Sequence, residues 1–365
     1  MSQLSLANPA SSLADQRGQD LADVTALADQ IESVGGFPTT PTSGTIFSRL
    51  AERARRLEAL DRVCRSGFRD DDADCLRAAQ VLLAQLYAER LRVPTGAGIE
   101  RRPSAEADDI AELIESYLLG FEDRAVDAKL VASAPRTGTA LARWLRELVE
   151  QHPATAHPFY TEFMRRATRR DLEYYSIQET TLDPRFDDAM ALLQLGTPDV
   201  AKMEIAKNYW DEMGNGEIAR IHTKLFQTVL DVFGITPSAV RRQLRTESIA
   251  CGNLSMTMVL QRSHFHKAIG YYGVTEYVVP FRFGHVVDAW QRLGLDPAGL
   301  DYYHVHYKID ADHGNAWFDH VIAPIVDAQP ETAPLIARGA LYRLNSSERY
   351  LNRLQSDVSG GSGHA

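Results

Sequence analysis

The chain has 365 residues, 44% hydrophobic and 24% charged. That is ordinary for a soluble globular protein and enough for two domains, or one large domain with an extension, without covalent staples. Its formal net charge of −10 argues against a protein whose main work is gripping nucleic acid or an anionic membrane, and no apolar run approaches the ~20 residues of a membrane span. Three cysteines, Cys64, Cys75 and Cys251, are too few and of the wrong parity for a disulfide framework, and they read as reduced thiols of a cytoplasmic protein. The opening MSQLSLANPASSLADQRGQDLAD has neither a basic nor an apolar signal region, so no signal peptide is expected.

Residues 1–45 are rich in Ser, Ala, Thr, Gly and Pro and read as a mobile or loosely docked arm, with a breaker cluster at GGFPTTPTSGT (35–45). From Ile46 the apolar spacing turns helical, through Phe47, Leu50, Leu57, Leu60 and Val63. Further helices are expected from Leu76 to Leu91, Asp108 to Leu130 and Thr139 to Gln151. Beyond the connector His152–Pro158, one helix is expected from Phe159 to Gln178, and helical patterns run over Val200–Phe233, with GNG (214–216) inside. Others cover Ser238–Tyr271, Val274–Leu293, Pro297–Asp327 and Pro334–Gln355. YVVPF (277–281) is the best strand candidate, and its proline argues against it. The fold class is therefore all-α, a bundle of about eight to ten helices.

Four segments carry candidate chemistry. In Asp301–His313, the residues His306, Asp310 and His313 stand at i, i+4 and i+7, within roughly 60° on one helical face. Two imidazoles and a carboxylate so placed can hold a metal, and a solvated face fits the same spacing equally well. Glu212 and His222 are ten residues apart, roughly 15 Å on a straight helix, and only a break at Gly214-Asn215-Gly216 could fold them onto one site. Glu179 ends the otherwise amphipathic YYSIQE run. Glu276 lies among aromatic and apolar neighbours, where an unpaired carboxylate would be costly.

The run YWDEMGNGEIARIHTKLF, the glutamate ahead of a proline in TEYVVP, and HYKIDADH together resemble the haem-oxygenase-like diiron oxidases, over roughly Phe159 to Gln355. The order of these motifs is specific; no single one is. The resemblance implies a haem-oxygenase-like helical bundle that holds two non-haem irons, with Glu179, Glu212, His222, Glu276, His306, Asp310 and His313 as ligands. It implies O2 as co-substrate and an external reductant. The ligand set is similar to that of the N-oxygenating members. It departs from relatives that carry a histidine one turn after the first glutamate, since Thr180, Thr181, Leu182 and Asp183 follow Glu179 here. The domain reading that follows is an arm over 1–45, a helical region over 46–157 fit to dimerise, a diiron catalytic bundle over 158–357 and a flexible tail over 358–365.

The implied activity is N-oxygenation of an amine of a small molecule or amino acid in natural-product biosynthesis. Its expected partners are that substrate, an electron donor and a second copy of the chain, with no nucleic acid or membrane. Desaturation or C–C cleavage by the same diiron core is one alternative, and a non-catalytic helical interaction module is another. His320, Trp317, Tyr303, Tyr271 and Phe281 are possible pocket residues for which ordinary packing is the simpler expectation. Arg262 and Arg282 are candidates to clamp a substrate carboxylate, and Arg165–Arg170 reads as a solvated basic face.

Overall fold

The computed structural model describes residues 9–34, 36–37, 45–94 and 104–360, without the side chains of 9–14, 34, 183 and 308–312. Every regular element among the described residues is helical, and the YVVPF segment lies inside a helix. None of these helices is long and apolar enough to cross a membrane. The chain divides into two units, Met1–Phe121 and Glu122–Ala365.

In the first unit, helix α1 (Pro9–Val34) occupies much of the stretch expected to be an arm. Val24, Ala28 and Ile31 recur at helical spacing and are buried, which docks α1 on α2 (Ile46–Arg69) and α3 (Ala73–Leu91). The low hydrophobicity of that stretch hid one narrow apolar stripe. Buried Asp20 is satisfied by Arg62, whose Nε donates across 2.7 Å. Asp72 caps α3 by accepting from the Cys75 amide at 3.1 Å. Helix α4 (Ala105–Ala125) crosses the division between the units, and its Glu115 accepts from the Tyr87 hydroxyl at 2.7 Å.

The second unit begins well before the expected boundary at residue 158 and includes α5 (Ala128–Ala132) and α6 (Gly138–Gln151). Its internal bonds explain the difference. The Gly138 amide donates to Asp327 at 2.6 Å and Arg146 pairs with Asp319 at 2.8 Å, contacts of long sequence separation that no local pattern announces. The helix expected over Phe159–Gln178 is interrupted: a π-helical turn covers Phe159–Phe163, and α7 (Arg169–Glu179) starts afresh at a Thr168/Asp171 capping box. Then follow α8 (Phe186–Leu193), α9 (Asp199–Glu212), α10 (His222–Phe233), α11 (Pro237–Gln243) and α12 (Thr246–Leu260). The long α13 (Phe265–Arg292) joins two expected helices into one and is packed against α14 (Pro297–Ala316) and α16 (Ala333–Gly360). A π-helical turn, Trp317–Ile322, separates α14 from the short α15 (Ala323–Ala328). Helix α16 extends into the expected tail as far as Gly360, and residues 361–365 lie outside the described residues.

Two glycines set the spacing of α13 and α16. A Cβ on Gly270 would collide with the Ile336 carbonyl, and one on Gly339 with the Lys267 carbonyl. The two helices therefore meet backbone to backbone. Between α7, α10, α13, α14 and the end of α16 lies an aromatic core that includes Phe159, Tyr175, Phe226, Phe283, Trp290 and Tyr303. It walls one side of the cavity described next.

Candidate metal centre

Glu212 ends α9 and His222 begins α10. Gly214, Asn215 and Gly216 all take positive φ, at 63°, 53° and 89°. A side chain on Gly214 would strike the backbone of Arg220. This left-handed turn reverses the chain, as the sequence required if the two residues were to meet. His222 Nδ1 lies 2.9 Å from Glu212 Oε2. His306, on α14, completes the group: its ring centroid is 4.4 Å from that of His222. One ligand atom from each of Glu212, His222 and His306 falls within 4.8 Å of the others.

The protonation of His306 follows from its partner. Its Nδ1 is 2.7 Å from the Tyr302 carbonyl, which can only accept, so Nδ1 carries the proton and the Nε2 lone pair is free for a metal. Burial, with the His222 ring beside it, holds His306 down to about 4, so the imidazole is neutral near pH 7. Burial pushes Glu212 up, but the adjacent His222 and then His306 and His313 more than offset it, and its carboxyl lies below its ordinary value.

Glu179 and Glu276 line the same cavity as Glu212, His222 and His306. Glu179 is the last residue of α7 and accepts a hydrogen bond from the Tyr350 hydroxyl of α16. Burial raises its pKa, against the pull of Tyr350, Arg343 and Arg282. Glu276 sits four residues before Pro280 in α13; proline has no N–H to return to the Glu276 carbonyl, so the helix is opened one turn past this carboxylate. Burial, then the charges of Glu212, Asp211 and Glu204, push Glu276 well above the usual carboxylate range.

His313 is buried but does not join His306 directly. Its Nε2 is 2.9 Å from Asp211 Oδ2, and its Nδ1 is 3.9 Å from Glu276 Oε2. Burial lowers its pKa and the Asp211 carboxylate opposes this. The expected ligand Asp310 lies in α14, but its side chain is outside the described residues. Asp211 and Glu204 are functional neighbours that sequence reasoning missed. With Asn208 and Glu212 they fall at i, i+4, i+7 and i+8 of α9, a polar stripe that could have marked this face as turned toward a site.

Other expectations resolve as follows. His320 is exposed, with its Nδ1 3.9 Å from Glu204. Trp317 is core, its indole N–H donating to the Ile269 carbonyl at 3.0 Å. Tyr271 lines the cavity, Phe281 is exposed and Phe283 takes its place on the wall. Arg262 stacks over Phe265 and borders a different groove. Arg282 lines the cavity, joined by Arg343, which the sequence did not single out. Arg165, Arg166, Arg169 and Arg170 are exposed and Cys251 is buried, as expected.

The donors fit an iron ion. His222 Nδ1 is buried without a hydrogen bond even though Glu212 stands beside it, so the two are close but not aligned on each other. Two lone-pair donors turned toward shared space suit a cation, and mixed imidazole and carboxylate oxygen suits iron. No curated protein matches the chain by sequence. Residues 173–348 match the sequence model of a family described as iron-containing redox enzyme, a stretch that holds Glu179, Glu212, His222, Glu276, His306, Asp310 and His313.

Proposed function

With residues 173–348 belonging to the family of iron-containing redox enzymes, we propose that the chain is a non-haem diiron oxygenase. It would use O2 and an external reductant to N-oxygenate an amine of a small molecule or amino acid, toward a hydroxylamine or nitro product. The observation that carries this reading is the convergence of Glu179, Glu212, His222, Glu276 and His306 on one cavity. A helical interaction module offers no reason to bury three carboxylates and two imidazoles together.

Glu212, His222 and His306 would hold one iron. Glu276 and His313, whose Nδ1 is 3.9 Å from it, would hold a second iron together with Glu179 and Asp310. When bound, ferrous iron supplies the electrons that reduce O2. The protein's own part is positional. Tyr302 fixes the tautomer of His306, and Tyr350 holds one carboxylate oxygen of Glu179. Tyr160, Tyr271, Phe283 and Tyr302 wall the cavity and limit water. Once the carboxylates are neutralised by metal, that wall disfavours an ammonium ion, so the substrate nitrogen presents its lone pair.

Anaerobic Fe(II) titration, followed by O2 and a panel of amines read by mass spectrometry, tests the reading. The expected product gains oxygen on nitrogen. Loss of two hydrogens or of CO2 would assign desaturation or cleavage to the same centre. Less than one iron per chain with every candidate substrate, together with no change in His306→Ala, would end the proposal.

A further inference from the structure

Arg282 and Arg343 are both about 95% buried, with 5% of their surface exposed, and both line the cavity. Arg282 Nη2 donates to the Ala154 carbonyl at 3.0 Å, while its Nε is buried with no hydrogen-bond partner. Arg343 Nε donates to Thr275 Oγ1 at 2.9 Å, one residue from Glu276, and its Nη1 donates to the Ser347 hydroxyl. All these partners are neutral. Among the described residues, neither guanidinium lies in an ion pair, and Glu179 is the carboxylate whose charge acts on both.

A guanidinium cannot shed its proton, and two of them in a closed space repel one another. Leaving them buried without a counter-ion is costly. Glu179 compensates one charge at most, and that compensation is withdrawn if its carboxylate faces an iron. The cavity then holds two fork-shaped cations and no anion for them.

We propose that Arg282 and Arg343 form an anion clamp, and that the substrate carries a carboxylate held by this pair, which leaves its other end at the metal group. This deepens the diiron reading and rests on it. A planar carboxylate matches the guanidinium fork, and the free Nε of Arg282 is one of the donors it would satisfy. The cavity is small, about 70 Å³, so a compact acid would need less rearrangement to enter than a phosphorylated or nucleotide ligand. Amino acids and short aliphatic acids form the class.

The test measures binding, not turnover. Protein loaded anaerobically with Fe(II) is titrated by calorimetry with the proteinogenic amino acids and straight-chain carboxylates, each beside its primary amide. At least one acid should bind tenfold or more tightly than its amide. Arg282→Met and Arg343→Met should each lower that acid's affinity at least tenfold, hold amide affinity within twofold and retain iron. Arg282→Lys and Arg343→Lys, which keep the charge, should recover part of the loss and control for folding. Amides binding as well as acids throughout the panel would overturn the proposal. So would Met variants that lose iron yet keep the acid-to-amide ratio, since the arginines would then merely position Glu179. Failure of the diiron reading is separate: the wild type would retain no iron at all.

Discussion

The imidazole of His313 pairs with Asp211, its Nε2 2.9 Å from Oδ2, and its Nδ1 faces Glu276 across 3.9 Å. Such a carboxylate partner orients a ligand histidine and raises its basicity, and its loss typically costs about 10–100-fold in metal affinity. If His313 holds one of the two irons proposed, Asp211→Asn should weaken binding of that iron by about this factor and leave the other unchanged. Equilibrium dialysis of Fe(II) checks it. An unaltered isotherm would make Asp211 a bystander.

Tyr350 donates to the buried Glu179. Tyr350→Phe keeps the ring and strands the carboxylate, at a cost of about 1–3 kcal/mol in the metal-free protein. Iron would give Glu179 a new partner, so the deficit should shrink on loading. Urea denaturation with and without Fe(II) gives both values. An equal deficit in the two states would place Glu179 outside the metal centre.

Glu276 behaves as an acid whose folded pKa lies above its unfolded value. The folded state keeps a proton that the unfolded chain has released. Stability from this site is therefore present below about pH 4.5 and is lost as pH rises through the folded value. Glu276→Gln removes that loss. The metal-free variant should be more stable than wild type by about 1–3 kcal/mol at pH 8, with the gap narrowing at pH 5. Its iron content should fall. Denaturation at the two pH values, paired with metal analysis, decides the matter; destabilisation at pH 8 would contradict the assignment.

His306 has the opposite dependence. Its folded value of about 4 lies below the unfolded ~6.5, so stability is complete above pH 6.5 and drains away as pH falls toward 4. At ~1.4 kcal/mol per unit the whole loss is of order 3 kcal/mol. His306→Phe should reduce the slope of the metal-free stability profile between pH 6.5 and 4, the remainder belonging to the other histidines that burial lowers, His152, His157, His264, His266 and His313. A profile of unchanged slope would mean that another group titrates there.

The legible part of the site was whatever a helix period or a costly neighbourhood could mark. Glu276 stood out because aromatic residues surround it in sequence, and two of them, Tyr271 and Tyr272, line the cavity with it. His306 and His313 share a face at i and i+7, but that spacing is about 10 Å of rise. One therefore reaches Glu212 and His222 while the other reaches Asp211. Glu212 and His222 depended on the backbone angles of Gly214–Gly216, which spacing alone cannot supply. Asp211 and Arg343 gain meaning only once α9 and α16 are packed, because a charged residue carries no mark of which neighbour it will face. The helices were legible from their apolar period, whereas the placing of α6 rests on bonds between distant residues, such as Gly138 to Asp327.

The seam made by Gly270 and Gly339 bears on how the cavity fills. Glu276 and Arg282 ride on α13, and Arg343 and Tyr350 on α16, so the backbone seam fixes these four residues relative to one another. A space of about 70 Å³ is well below the roughly 300 Å³ at which small-molecule pockets begin. Something must yield to admit an organic acid. The Gly214–Gly216 turn is close-packed as well, since a Cβ on Gly214 would meet the Arg220 backbone. Arg282 and Arg343 would then grip an acid from a fixed frame, and the room it needs has to come from the other side chains of the lining.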